Sequence, residues 1–542
     1  MKGLLKTKNW RALLADKESL LYRRLEEMHG GEAALVAESG RLFGEALAAY
    51  ERAHGEGEVF ILRSPARINL MGMHIDHRGG AVNAIAIKEM AVVVGPREDD
   101  QVFLANANPK AFPERKFRIS RELPEEKIED WEEWTRKETA RRAKKGLGGD
   151  WANYAKAAVL YLQNLYKEKD GRLKKRMRGM NLAVASNIPI ASGLSSSSAL
   201  VVASILSGMN VNDIEIPRAE LTEHCGTAEW FVGTRGGMGD HAAILFSQFQ
   251  SVLHIEFFPV KVEVLPFPRE YSIILANSLV EAKKQAGAKN IFNNRVASYI
   301  IGRLLVKKNF PEHAPKIKLL RDINPEHLGV GEKEMYEIIL SLPEQVTREE
   351  ALKMLPEEQS ELEKCFETHE EPAQGYKVRQ VAAYGITECL RSHMAASFLR
   401  HRRVKGIGEL INISHEGDRV TGLVGTERVK LDKSISDDKI HSLLADLDSE
   451  ELERREWARL FRQPGGFDVS IPELDELVDT ARRIDGVAGA GLVGAGLGGC
   501  VVVVVETEEG KEVVRALEEG YYEPRGLPLA AEVVIPVASA GV

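Results

Sequence analysis

Residues 188–200 read IPIASGLSSSSAL, after the apolar run NLAVAS (181–186) and before a further apolar stretch. A strand, a turn built on Gly193 and a helix opening near Ser198 are predicted in that order. Glycine lets backbone approach an anion, and the first turn of a helix offers unpaired N–H groups and the positive end of its dipole. That combination suits the phosphates of a nucleotide. Serine hydroxyls can cap a helix or ligate magnesium. Capping needs one side chain, so four consecutive serines, Ser195, Ser196, Ser197 and Ser198, exceed it. No G-x-x-x-x-G-K-[ST] pattern occurs and no lysine follows the turn, which leaves charge neutralisation to backbone and metal.

A second glycine cluster, Gly494, Gly496, Gly498 and Gly499, formally satisfies G-x-G-x-x-G. A dinucleotide fingerprint follows a strand and opens a helix. Here Cys500 and five valines follow, so a strand is predicted instead. Residues 486–505 carry no charge over a length that could span a bilayer, but seven of them are glycine. A glycine loop entering a doubly covered valine strand is the better reading, and no membrane span is assigned.

Upstream, SPARINLMGMHIDHRGG (64–80) follows the apolar run VFIL. A strand, a turn at Pro65 and a polar cluster are predicted. His74, Asp76 and His77 could ligate zinc, but no further closely spaced His pair supports that. Otherwise Asp76 and His74 suit a hydroxylated ligand, and Arg67 suits phosphate.

The remainder sets bounds. The 542 residues carry 73 Lys plus Arg against 81 Asp plus Glu, a net charge of −8, which argues against nucleic acid as a partner. Four widely spaced cysteines suggest neither a zinc site nor a disulfide framework, and the charged amino-terminal stretch does not resemble a secretion signal, so a cytoplasmic protein is expected. Residues 1–57 have helical spacing and form a predicted extension. The 114–145 and 418–462 stretches are charge-rich, the first expected as a solvated helix and the second as an insertion. Uneven alternation of strands and helices favours α+β.

SPARINLMGMHIDHRGG, IPIASGLSSSSAL and VGAGLGGC, in that order, resemble the three signature motifs of the GHMP small-molecule kinases, specifically the galactokinase branch. Supporting matches are WANYAK (151–156), KNIFNNRV (289–296), GELINISHEG (408–417) and FDVSIPELDELV (467–478). The resemblance implies a two-domain kinase. A ribosomal-protein-like amino domain (58–260) would meet a ferredoxin-like carboxyl domain (261–542), with ATP and sugar between them. It places ATP phosphates on Gly193, Leu194 and Ser195 to Ser198, Mg²⁺ on Ser197 and Glu229, and the catalytic base at Asp240 beside Arg67. Gly494 to Gly499 would shape the site from the other domain. The Glu229-to-Asp240 spacing is one residue shorter than the usual galactokinase pattern and similar to that of mevalonate kinases.

Sugar contacts fall by resemblance on Met73, His74, Asp76, His77 and Gly237. Galactokinases carry Glu, a contact to the C6 hydroxyl, where this chain has Met73, and usually Tyr where it has His77. Loss of that carboxylate removes an acceptor and also a repulsion against negative charge. The pattern resembles the galacturonokinase type, so a sugar acid is the expected acceptor, its C6 carboxylate offset by Arg78, Arg235 or His77. A galactose or pentose kinase is the alternative. A catalytically silent sugar sensor, the alternative from another class, would be expected to lose part of the serine motif or the base.

Overall fold

The computed structural model describes residues 3–233, 236–281 and 288–541. A first sheet runs in spatial order β1 (Leu5–Lys6), β2 (Glu58–Met71), β3 (Val82–Pro96), β6 (Met180–Ser186), β4 (Gln101–Asn106) and β5 (Arg115–Arg118). β7 (Ser251–Glu256) pairs with β3 and with β8 (Lys261–Pro266). The strand at 261 therefore stays with the first sheet, and the passage to the second falls after Pro266, not at the expected 260. Pro65 makes no turn. β2 continues through it, and the register slips between Pro65 and Ala66, a bulge that accommodates a residue without a ladder N–H.

Period-two alternation decides which helices cover this sheet. Val59, Ile61, Ala91, Val93, Ala183 and Ala185 point to one face, where helix Ala33–His54 buries Leu42, Phe43, Ala46, Leu47 and Tyr50. Phe60, Leu62, Val92, Val94, Leu182 and Val184 point to the other, against helices Ala152–Leu165 and Ser196–Val211. The amino-terminal extension is thus the lid of one sheet face.

The second sheet has the order β12 (Val487–Leu492), β13 (Cys500–Glu506), β9 (Tyr271–Asn277), β14 (Ala531–Val534), with every pair antiparallel. Helices Val404–Asp418 and Pro472–Ala481 lie between β9 and β12 in sequence, and Gly510–Leu517 lies between β13 and β14. This is the βαββαβ plan of a ferredoxin-like domain. The valine run is its inner strand β13, with Val501 to Val505 fully buried.

A helical block with its own core interrupts that plan between β9 and β12. The 418–462 segment forms a hairpin, β10 (Thr421–Val424) with β11 (Glu427–Lys430), and helices Asp437–Leu447 and Leu452–Trp457. Ile440, Leu443, Ala458 and Leu460 anchor it in this core, so its polar texture hides a buried seam. Likewise the charged helix Trp131–Lys144 is solvated except along one edge, where Trp131 donates to the Thr227 carbonyl and Arg142 sits 3.7 Å from the Phe231 ring centroid. Among the described residues no helix is long and apolar enough to cross a membrane.

Candidate active site

The serine turn leaves β6 and enters helix Ser196–Val211 through Gly193 (φ 82°) and Ser195 (φ 57°), both in the left-handed region. The loop joining β12 to β13 seats against it backbone to backbone. A Cβ on Gly494 would lie 2.8 Å from the Gly193 carbonyl oxygen, and one on Gly499 would lie 2.7 Å from that of Ser192. Side chains there would force the two segments apart. The second and third motifs thus form one structure, with Gly193, Gly494 and Gly499 spent on mutual contact, while a Cβ on Gly496 would meet the Val469 carbonyl at 2.3 Å.

Arg67, on β2, lies beside this turn. Its Nε and Nη2 donate to the two carboxylate oxygens of Asp240 at 2.5 and 2.8 Å, and its Nη1 donates to the Gly193 carbonyl at 2.7 Å. Ser195 also donates to Asp240 Oδ2. Asp240 stands in the first turn of helix Gly239–Phe246 with its side chain a quarter exposed. A carboxylate has about four lone-pair sites. Among the described residues three are taken, and the remaining one lies on Oδ1. Arg67 keeps two N–H groups beyond the three that these residues engage.

Glu229, at the end of helix Arg218–Glu229, accepts from Ser198 Oγ at 2.8 Å and lies 2.7 Å from His241 Nε2. The hydroxyl placed on Glu229 is therefore Ser198's, while Ser197 stands one residue earlier, half-buried on the same turn. Leu194 is buried, and its carbonyl accepts the Arg67 backbone N–H, so its role is to fix the turn.

The Gly72–Gly80 loop carries the remaining motif residues. Asp76 Oδ2 accepts the Gly239 N–H at 3.4 Å, and Oδ1 lies 3.4 Å from His77 Nδ1. Burial raises the Asp76 pKa, but His77 and the Gly239 amide outweigh it and hold the carboxyl below its ordinary value. A Cβ on Gly237 would fall 2.0 Å from Asp76 Oδ2, so Gly237 serves by giving that carboxylate room. Burial pushes the His77 imidazole down, and its Nε2 is buried without a hydrogen-bond partner among the described residues. The Arg78 Nε is in the same position.

Met73 and His74 are buried as well. Their loop is held by Glu388, whose Oε1 accepts the Gly72 and Met73 N–H groups at 2.9 and 3.1 Å and the Ser414 hydroxyl at 3.0 Å. Arg391 donates to its other oxygen at 2.9 Å, and both side chains are wholly inaccessible. His74 (φ 62°) stacks on Phe467, 4.3 Å between centroids, with Nε2 3.3 Å from Asp418 Oδ1. The second sheet's side of the molecule supplies those partners, so His74 joins the two halves. Arg235 lies outside the described residues.

Several polar groups that sequence reasoning missed surround this loop. The Lys433 ammonium is buried without a hydrogen-bond partner among the described residues, and burial lowers its pKa although Asp468 and Asp418 oppose this. Asp468 (φ 56°) accepts from Gln380 at 2.8 Å and Lys377 at 3.2 Å. Two of the supporting sequence matches make contacts that brace the fold. Arg295 Nε donates to the Phe467 carbonyl at 2.5 Å, and His415 Nδ1 accepts the Leu492 N–H at 3.3 Å.

Residues 153–248 match the GHMP kinases N terminal domain, 443–523 the GHMP kinases C terminal, and 48–97 the galactokinase galactose-binding signature. The chain carries the amino- and carboxyl-terminal domains of the GHMP kinases. Within them its relatives lie in the galactokinase branch. A galactokinase of Schizosaccharomyces pombe is 26% identical over 489 residues, 86% of each chain, and one of Dictyostelium discoideum is 25% identical over 510 residues, 86% of this chain and 85% of that. A Candida parapsilosis galactokinase reaches 32% over 254 residues, 46% of each. The Lactococcus lactis galactokinase crystallised with galactose superposes with TM-score 0.61 and 22% identity, covering 93% of this chain and 99% of that one, which establishes the shared fold. The three matched regions of this chain span the serine turn, the glycine loop and the Arg67 strand, the elements that its coordinates bring together.

Proposed function

We propose that this protein transfers the γ-phosphoryl group of ATP to the anomeric hydroxyl of a galactose-like sugar, with galacturonate as the preferred acceptor. The observation that carries the phosphotransfer reading is the Arg67 fork on Asp240 beside the serine turn. Asp240 Oδ1, with its spare lone pair, takes the proton as the sugar oxygen attacks phosphorus and the bond to the β–γ bridging oxygen breaks. Arg67 fixes both carboxylate oxygens and turns its remaining N–H groups to the transferred group. Gly193 to Ser198 hold the phosphates at a helix amino terminus.

The oxygens of Glu229 and Ser198, 2.8 Å apart, with Ser197 on the same turn, fit a hard divalent cation. Bound there, Mg²⁺ neutralises charge on the nucleotide's phosphate oxygens. The family-based assignment to Ser197 and the contact made by Ser198 are separated by replacing each with Ala. The true ligand is the one whose loss raises the Mg²⁺ concentration needed for half-maximal rate.

For the acceptor, Asp76 is placed to hold ring hydroxyls. The uronate reading rests on Met73, which offers no carboxylate, and on the unpartnered nitrogens of His77 and Arg78 on the turn that carries Asp76. The galactose-binding signature at 48–97 favours a second reading, galactose itself. All four cysteines are free, which supports a reducing cytoplasm as the setting.

A coupled assay with Mg·ATP against galacturonate, glucuronate, galactose and arabinose decides among these. Galacturonate should give the highest kcat/KM. Strong galactose turnover without uronate turnover overturns the acceptor, and no turnover of any sugar, with ATP still bound, favours the sensor.

A further inference from the structure

β7 and helix Val378–Arg400 approach each other at His254, Glu256 and His393, three residues that the phosphotransfer chemistry does not use. His254 and Glu256 are two apart on a strand and so share a face. One donor atom from each of the three residues can be chosen so that all lie within 4.8 Å of one another.

The hydrogen-bond network fixes which His254 nitrogen is available. Asn83, opposite His254 in the β3–β7 register, donates through Nδ2 to the Ser392 carbonyl at 2.9 Å and to its hydroxyl at 3.0 Å. A carbonyl only accepts, so the amide orientation is determined, and its Oδ1 faces His254 Nδ1 at 3.0 Å. Nδ1 therefore carries the proton and donates it. With the proton on Nδ1, the neutral ring has its lone pair on Nε2. That lone pair faces Glu256 Oε1 at 3.9 Å, one acceptor opposite another and too far apart for a shared proton.

A ring N–H anchored on a carbonyl oxygen, with the opposite nitrogen aimed at further donors, is the outer-shell arrangement of metal-bound histidine. Among the described residues, two nearby arginines are engaged elsewhere. Glu263, across the ladder from His254, is bound to Arg400 with Nε to Oε1 at 2.8 Å, and Arg321 is spent on the carbonyls of Gly79, Phe257 and Phe258.

We propose that His254, Glu256 and His393 bind one divalent transition-metal ion of the zinc type, with solvent completing a four-coordinate shell. Two imidazoles and a carboxylate suit Zn²⁺, and Co²⁺ as its spectroscopic substitute, better than Mg²⁺ or Ca²⁺, which prefer oxygen. The ion would tie β7 to the helix whose Glu388 holds the Gly72–Met73 backbone.

The test uses the full chain, stripped with chelator, and equilibrium dialysis against Zn²⁺ with Co²⁺ absorption as the second readout. Wild type and Glu229→Gln should each bind one ion and show the intense visible bands of low-symmetry Co²⁺. His393→Ala, at an exposed position, should bind at least about tenfold more weakly and lose the bands, with an unchanged metal-free melting temperature. Glu256→Gln should weaken binding in the same direction. Absence of stoichiometric binding, binding untouched in both His393→Ala and Glu256→Gln, or binding lost in Glu229→Gln alone each overturns the proposal.

Discussion

Two arginine–carboxylate pairs, made of the same groups, do opposite work. Arg391–Glu388 is wholly buried, and both Glu388 oxygens are occupied by Arg391, Ser414 and the Gly72 and Met73 amides. Arg67–Asp240 reaches the surface at its carboxylate and, among the described residues, keeps a lone pair and two N–H groups in reserve. A pair sealed from solvent can only position its neighbours. A pair whose carboxylate reaches the surface with a lone pair to spare can act on a visiting molecule.

The largest effect expected from that contrast is at Asp240. Asp240→Asn should lower kcat by about two to four orders of magnitude while ATP binding persists, as steady-state rates and calorimetry would show. Wild-type turnover in this variant would mean that the reserve lone pair is not used. Glu388→Ala should do the reverse, costing about 3–5 kcal/mol of stability in urea unfolding because it strands Arg391, with a much smaller change in kcat of the folded fraction. Unchanged stability would put the pair among ordinary surface bridges.

A third pair, Arg63–Glu89, sharpens the comparison because a titratable group touches it. His29 Nε2 bonds Ser39 at 2.7 Å, and Ser39 donates to Glu89. Burial and then Arg63 push the His29 pKa down to about 4 from 6.5. Between those values the unfolded chain binds a proton that the folded chain refuses, so stability falls as pH drops from about 6.5 toward 4. His29→Gln should flatten that part of the pH–stability profile, the smallest of the three effects. An identical slope in the variant would assign the loss to other groups.

Local chemistry was legible in the sequence. The serine turn, the valine strand and the Arg67 segment each carry their cause in adjacent residues, and their order matched a family. What escaped depends on chain reversal. Glu388 and Arg391 lie in an apolar helix, where their i, i+3 spacing was a readable hint of a buried pair, but nothing in it names the Gly72–Met73 amides. His254 and His393 are remote in sequence and meet only because β7 and that helix pack together. Lys433 sits in a polar stretch whose buried side shows at Ile435, Ile440, Leu443, Ala458 and Leu460. Pro65 misled because a bulge can absorb a proline that would otherwise break a ladder.

Arg63 donates through Nη1 to the carbonyls of Ala538 and Ser539, and its backbone bridges Gly541, while Val537 and Ala540 donate to Ala86 and Ile244. On the ribosome, then, the first sheet stays open at this seam until the strap formed by residues 537–541 has emerged, long after its own strands were made. Nascent chains stalled before residue 538 should remain protease-sensitive around Arg63, and resistance at that length would show that the strap is dispensable for closure.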